Sequence, residues 1–254
     1  MAKGKVPKKR LDLLLVETGL IRSRDRAKTM IMAGKVRVND AVADKPGAQI
    51  RADARITVKA DDHPFVSRGG LKLEKGLTHF PVCVRDAVCL DIGASTGGFT
   101  DCLLQFGAKK VYAVDVGYGQ LDWSLRQDDR VTVIERTNIR HLALDAIPEQ
   151  VDVVVADTSF ISLKTVIPAA EKFMGKTTAI LALIKPQFEA GRENVGKGGV
   201  VKDTQIRKAV VHNIRLFFQG RGYQVNGVVP SPILGPKGNE EFIISLEFTN
   251  RKSP

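Results

Sequence analysis

Several polar residues in this chain stand at the ends of apolar runs, where they could bind a ligand or move a proton. Val88-Cys89-Leu90-Asp91-Ile92 runs into Gly93-Ala94-Ser95-Thr96-Gly97-Gly98 and then into a helix-like run from Phe99 to Phe106. Glycines permit a tight turn and close backbone approach, and a helix N-terminus leaves N–H donors free. The pattern predicts a strand–turn–helix ligand site. The spacing is not G-x-G-x-x-G and no G-K-[ST] follows, which argues against a dinucleotide or P-loop site. The next apolar run, Lys110–Val114, ends on Asp115, an acid suitably spaced to hydrogen-bond ribose hydroxyls. Val151–Ala156 closes on Asp157, and 178–184 is stopped by Lys185 and Pro186. Lysine is seldom buried unless paired, so Lys185 needs a partner, and Asp157 is the candidate. Such a pair is either a structural ion pair at a sheet rim or a catalytic one. Leu73, Leu77 and Phe80 predict an amphipathic helix over 70–80. Lys72 lies off that stripe near the helix start, where positive charge opposes the helix dipole.

The elements that must position these groups alternate. Short apolar runs at 88–92, 110–114, 131–135, 151–156 and 178–184 are separated by helical segments, among them 162–174. Asn138 falls just past the third run. The alternation predicts an α/β fold with a doubly wound, largely parallel Rossmann-like sheet, whose ligands collect outside the carboxyl ends of the strands. A glycine-rich mobile loop is expected over 187–201, a helix over 202–220, and a closing antiparallel pair of strands at 223–229 and 242–248.

Charge separates the first quarter from the rest. The net charge is +11, and residues 1–60 hold fifteen Lys and Arg against six Asp and Glu. A concentrated positive charge suits a polyanion, most simply nucleic acid. After a lysine-rich leader expected to be disordered, helices are predicted over 10–18 and 24–33, the second capped by Ser23. Strands are predicted at 35–39 and 54–58. Arg10, Arg22, Arg24, Arg26, Lys28, Lys35 and Arg37 form the basic face, with Asp25 the sole acid between Arg22 and Arg37. A polar break at Asp61-Asp62-His63-Pro64 marks a linker over 61–66, so the expected domains are 1–60 and 67–254. Neither a spanning-length apolar run nor a signal peptide is present, and Cys83, Cys89 and Cys102 have no metal-site spacing. The expectation is a cytoplasmic protein without membrane or metal partners.

Two resemblances sharpen this reading. Arg10-Leu11-Asp12, Ser23-Arg24 and Ala33-Gly34-Lys35-Val36-Arg37-Val38-Asn39 resemble the S4-like RNA-binding domain, which implies a grip on structured RNA through backbone and shape. Asp91 to Thr100 looks like the first motif of FtsJ-like S-adenosylmethionine-dependent methyltransferases. Ser67 to Leu73, Ala156 to Phe160, Leu183 to Glu189 and Gly238 to Phe242 follow in family order. The combination is similar to the TlyA (hemolysin A) family of ribosomal RNA 2′-O-methyltransferases; one departure is Phe65, where the family pattern has Tyr. The resemblance implies S-adenosylmethionine as cofactor and a catalytic tetrad of Lys72, Asp157, Lys185 and Glu241, with Glu240 the neighbouring alternative. It implies a cofactor site of Asp91, Gly93, Ser95, Gly97, Gly98, Phe99, Asp115 and Asn138, and adds Arg68 to the RNA contacts. The implied partner is ribosomal RNA or a ribosomal subunit, methylated on cytidine ribose. Lys185 would accept the 2′-hydroxyl proton. Competing readings are a non-catalytic RNA-binding assembly factor, a membrane-active hemolysin and a base or DNA methyltransferase. The last lacks the Asn/Asp-Pro-Pro-Tyr or cysteine arrangement that base chemistry would use.

Overall fold

The computed structural model describes residues 6–21, 24–58 and 63–249, apart from the side chains of residues 25 and 26. Contacts divide the chain into two units, Met1–Pro64 and Phe65–Pro254. Arg22, the Ser23 cap and linker positions 61 and 62 lie outside the described residues.

In the first unit, β1 (Lys8–Arg10) leads into α1 (Leu11–Glu17), followed by α2 (Arg24–Met32), β2 (Val36–Val38), β3 (Ala41–Ala43), β4 (Gln49–Arg51) and β5 (Ile56–Val58). Leu11 and Leu15 of α1 meet Ala27, Met30 and Ile31 of α2 over Val36. Spacings of three and four put each set on one helix face. Strand β2 is central in the order β3-β2-β5, and β1 pairs antiparallel with β4. The disordered leader is therefore wrong at Lys8 and Lys9, which lie opposite Arg51 and Ile50. Their charge density says nothing of a backbone partner some forty residues on. Strand β3 was also hidden in sequence. Asn39 and Asp40 both take positive φ (48° and 69°), as a two-residue hairpin turn requires, and set Val38 opposite Ala41.

Two arginines of the basic face find a counter-charge on α1, outside the arginine-rich window. Asp12 is fully buried and accepts from Arg10 Nε (3.0 Å), Arg10 Nη2 (3.0 Å) and Arg24 Nε (3.0 Å). Hydrogen bonding from Arg10, reinforced by Arg24 and opposed by burial, holds its carboxyl at about 2. A carboxyl held below its unfolded value adds stability that is complete above about pH 4 and lost as pH falls toward 2. Solvent around the half-exposed guanidinium groups reduces this to ~1–2 kcal/mol. Asp12→Asn should therefore lower the urea midpoint of the first unit's transition at pH 7, measured on the full chain, and flatten its loss between pH 4 and 2. An acid limb identical to wild type would refute the assignment.

The second unit contains α3 (Gly69–His79), β6 (Val88–Ile92), α4 (Gly98–Gln105), β7 (Lys110–Val114), α5 (Trp123–Arg126), β8 (Val131–Ile134), β9 (Val151–Ala156), α6 (Leu163–Ala170), β10 (Met174–Ile184), α7 (Pro186–Glu189), α8 (Thr204–Gly220), β11 (Gln224–Pro230) and β12 (Phe242–Thr249). The sheet order is β11-β12-β10-β9-β6-β7-β8, with β12 antiparallel to both of its neighbours. The pairs β10–β9, β9–β6, β6–β7 and β7–β8 are parallel. From β6 the chain winds outward through β7 to β8, then returns to add β9 and β10 on the other side. The reversal between β6 and β9 opens a crevice at their carboxyl ends. Alternation sorts the side chains: Leu90, Ile92, Val154 and Ala156 pack toward α6 and α8, while Cys89, Val153 and Val155 pack toward α3 and α4. The expected loop over 187–201 begins inside α7, a single helical turn with Pro186 at its first position.

Candidate active site

The glycine turn bends at Gly93 (φ 86°), Ser95 (φ 49°) and Gly97 (φ 96°) before α4 begins. A Cβ at Gly93 would stand 3.0 Å from the Asp157 carbonyl oxygen, so the turn presses directly on the end of β9. Asp115 binds the same turn through Ser95 N, which donates to its Oδ2 (2.8 Å), while Gly117 N of its own loop donates to its Oδ1 (2.6 Å). Gly93, Ser95, Asp115, Asn138 and Thr158 line a cleft of about 640 Å³, inside the roughly 300–1,000 Å³ range of small-molecule sites. Asn138 Oδ1 accepts from Arg140 N (3.1 Å), which fixes its side chain at the rim. Thr158 Oγ1 is buried without a hydrogen-bond partner among the described residues. An orphaned hydroxyl, a carboxylate at a strand end and a turn with no room for side chains together fit a nucleoside-bearing ligand.

A second cleft, about 530 Å³, shares Gly93, Ser95, Asp157 and Ser159 with the first. Arg68, Lys72, Gly98, Phe99 and Lys185 also line it. At this junction Lys185 Nζ stands 2.6 Å from Asp157 Oδ1 and donates to Ser159 Oγ at 3.1 Å. Lys72 Nζ donates to Glu241 Oε2 at 2.6 Å and lies 3.9 Å from Asp157 Oδ2. Both lysines are buried at 6% exposure, tolerable only because each faces a carboxylate. Glu241 is buried, while Glu240 points outward to Arg207 (3.2 Å). The residue next to Phe242 is thus the one that reaches Lys72. Arg68 and Lys72 at the start of α3, Asp157 after β9, Lys185 after β10 and Glu241 before β12 come from four different places in the chain, brought together by the winding of one sheet.

Two residues expected at the cofactor stand behind the clefts. Asp91 lines neither cleft; it is fully buried beneath the turn, where its Oδ2 accepts from Thr100 Oγ1 (2.7 Å) and burial pushes its carboxyl up to about 7. Gly97 supports the turn from below, where a Cβ would collide with Leu125 at 2.2 Å. Phe65 is buried against Gly70, where a Cβ would meet its ring at 2.2 Å. Ser159, Thr158 and Gly235 escaped sequence reasoning as individual groups, since neither periodicity nor charge marks them. Phe160 is 88% exposed with positive φ (64°), and its ring meets that of Phe188 at a tilt, with centroids 4.9 Å apart. An aromatic ring held in water is the signal that could have found it. On the first unit, Arg24, Arg26 and Lys28 ride on α2, while Lys35 stands just before β2 and Arg37 within it; Arg37 donates to the Asp40 carbonyl at 3.1 Å. Among the described residues no His/Cys/Asp/Glu group could hold a metal ion, and no helix is long and apolar enough to cross a membrane.

Comparison with known proteins follows the same division. Residues 9–56 match the S4 domain and residues 65–248 match the FtsJ-like methyltransferase family. The 16S/23S rRNA (cytidine-2′-O)-methyltransferase TlyA of Mycobacterium tuberculosis is 49% identical over 238 residues, which cover 93% of this chain and 89% of that protein. A solved Streptococcus thermophilus protein labelled a hemolysin is 45% identical, covers 96% of this chain and 90% of its own, and superposes with a TM-score of 0.73. An S-adenosylmethionine-dependent methyltransferase from Mesorhizobium loti shares the fold alone, at 10% identity and a TM-score of 0.52 over 70% of this chain and 98% of its own.

Proposed function

The chain belongs to the FtsJ-like methyltransferase family and carries an S4 domain ahead of the catalytic unit, and from this premise we propose that it methylates cytidine ribose 2′-hydroxyls of ribosomal RNA in the cytoplasm, using S-adenosylmethionine. One observation carries the proposal: two buried lysines, each on a carboxylate, meet where the two clefts share a wall. Asp115, Asn138 and Thr158 would hold the nucleoside portion of the cofactor, over the turn from Gly93 to Gly98. When bound, S-adenosylmethionine supplies a methyl group already activated on a sulfonium. The ribose hydroxyl is the poor partner, so the protein must aim it and relieve it of one proton. Lys185 accepts that proton at Nζ, aimed by Asp157 and Ser159. Glu241 holds Lys72 beside Asp157, so that a second cation faces the same oxygen as negative charge develops there. Phe160 offers an unstacked base an aromatic face, and the basic face of the S4 domain grips the RNA backbone.

Mapping ribosomal RNA 2′-O-methyl sites in cells with and without the protein tests the proposal directly; identical maps would end it. Calorimetry separates the enzyme from an assembly factor, which need not bind S-adenosylmethionine. Asp115→Asn should weaken that binding about 10- to 100-fold, the loss of one charge-assisted acceptor and a disturbed Ser95 turn. Affinity equal to wild type would remove Asp115 from the cofactor site.

A further inference from the structure

Lys185 and its two partners sit on different loops. Asp157 and Ser159 follow β9, whereas Lys185 opens α7 after β10. A lysine side chain is long and flexible, so a reach of 2.6 Å to Asp157 is reproducible only if the loops keep their spacing. Beyond the lysine itself, a ring contact and a pair of hydrogen bonds join them among the described residues. The rings are those of Phe160 and Phe188, at 4.9 Å. The hydrogen bonds are those of Glu189, the last residue of α7, whose Oε2 accepts from Ser162 Oγ (2.6 Å) and whose Oε1 accepts from Leu163 N (2.8 Å). Ser162 is the N-cap of α6 and Leu163 its first residue, so the carboxylate closes the helix start that ends the Asp157 loop. Burial pushes the Glu189 carboxyl up, against the hydrogen bonds from Ser162 and Leu163 and the charge of Lys164. Glu189 lines neither the nucleoside cleft nor the lysine cleft, nor a third of about 660 Å³ that lies beside Phe160 and Phe188.

We infer that Glu189 is a positioning residue for methyl transfer: by clamping α7 to the start of α6 it sets the distance between Lys185 and the Asp157–Ser159 segment. The inference rests on the methyltransferase reading above. A clamp of this kind acts on the rate of the bound complex, because neither substrate touches it. Displacing a reacting group by about 1 Å costs on the order of 100-fold in rate.

The test uses the full chain with S-adenosylmethionine and ribosomal subunits. Glu189→Ala should lower kcat about 30-fold per folded molecule, with KM for RNA and Kd for S-adenosylmethionine within about twofold of wild type. Glu189→Gln keeps an acceptor for the Leu163 N–H and should recover kcat to within about threefold of wild type. Should Glu189→Ala fail to fold, Ser162→Ala removes one of the two hydrogen bonds and should lower kcat about threefold at unchanged KM. A simple helix cap would lower Tm and leave kcat per folded molecule intact, which would overturn the inference. So would a loss appearing mainly in KM, or failure of Glu189→Gln to rescue. A wild-type protein that transfers no methyl group would instead overturn the methyltransferase reading, and the inference with it; an active wild type with an unaffected Glu189→Ala overturns the inference alone.

Discussion

Replacing Lys185 with Ala is expected to reduce single-turnover methyl transfer to ribosomal RNA about a thousandfold, within the 10²–10⁴ range that a positioned proton acceptor supplies. The magnitude follows from what is lost together: the amine at the junction of the clefts and the group that Asp157 (2.6 Å) and Ser159 (3.1 Å) hold in place. Affinity for S-adenosylmethionine should stay within about twofold, because Asp115, Asn138 and Thr158 line the other cleft. Lys185→Arg should not rescue, since guanidinium keeps the charge and cannot give up its proton. Stability should fall little, because Asp157 is 20% exposed at its side chain and keeps Lys72 3.9 Å away. Radiolabelled methyl transfer and calorimetry on the same preparation read both quantities. Transfer at near the wild-type rate would remove Lys185 from the chemistry.

Gly235→Ala is the second large effect, and it acts through Glu241. The backbone there is extended (φ −71°, ψ −176°) and suits any residue. Space is the obstacle: a Cβ would stand 2.0 Å from Glu241 Oε1 and 2.4 Å from its Cδ. Either the turn shifts, at the ~1–3 kcal/mol of overpacking, or Glu241 withdraws and leaves the buried Lys72 ammonium short of its 2.6 Å partner. A loss of ~2–4 kcal/mol is expected, which for a unit of this size lowers Tm by about 5–12 °C. Methyl transfer should fall about 100-fold at temperatures where the variant is folded. Combining Gly235→Ala with Glu241→Ala removes the collision, so the two stability losses should add to less than their sum while activity stays lost. Strictly additive losses would show that the methyl group is accommodated without touching Glu241.

Much of this was legible in the chain because periodicity and strand-end chemistry are local. The five apolar runs of the parallel sheet, the glycine turn, Asp115 and the Asp157–Lys185 pair could be read from patterns a few residues long. The charge of the first sixty residues could likewise be counted. What composition suggested wrongly, the disordered state of Lys8 and Lys9, turned on a pairing with β4 that no local pattern encodes.

The sequence by itself therefore determined the element types, the α/β class and which residue types stand at strand ends, because backbone preference and amphipathic period act over one or two turns. It left Glu240 and Glu241 as neighbouring alternatives, placed Asp91 and Gly97 in the expected cofactor site, and gave Ser159, Gly235 and Glu189 no individual role. Only tertiary structure decided where these residues stand. It buries Glu241 against Lys72, turns Glu240 out to Arg207 and sinks Asp91 beneath the turn. The physical reason is that burial and pairing of charge depend on what the winding of the sheet brings within about 3 Å from distant parts of the chain, and a carboxylate's identity carries no record of which ammonium it will meet.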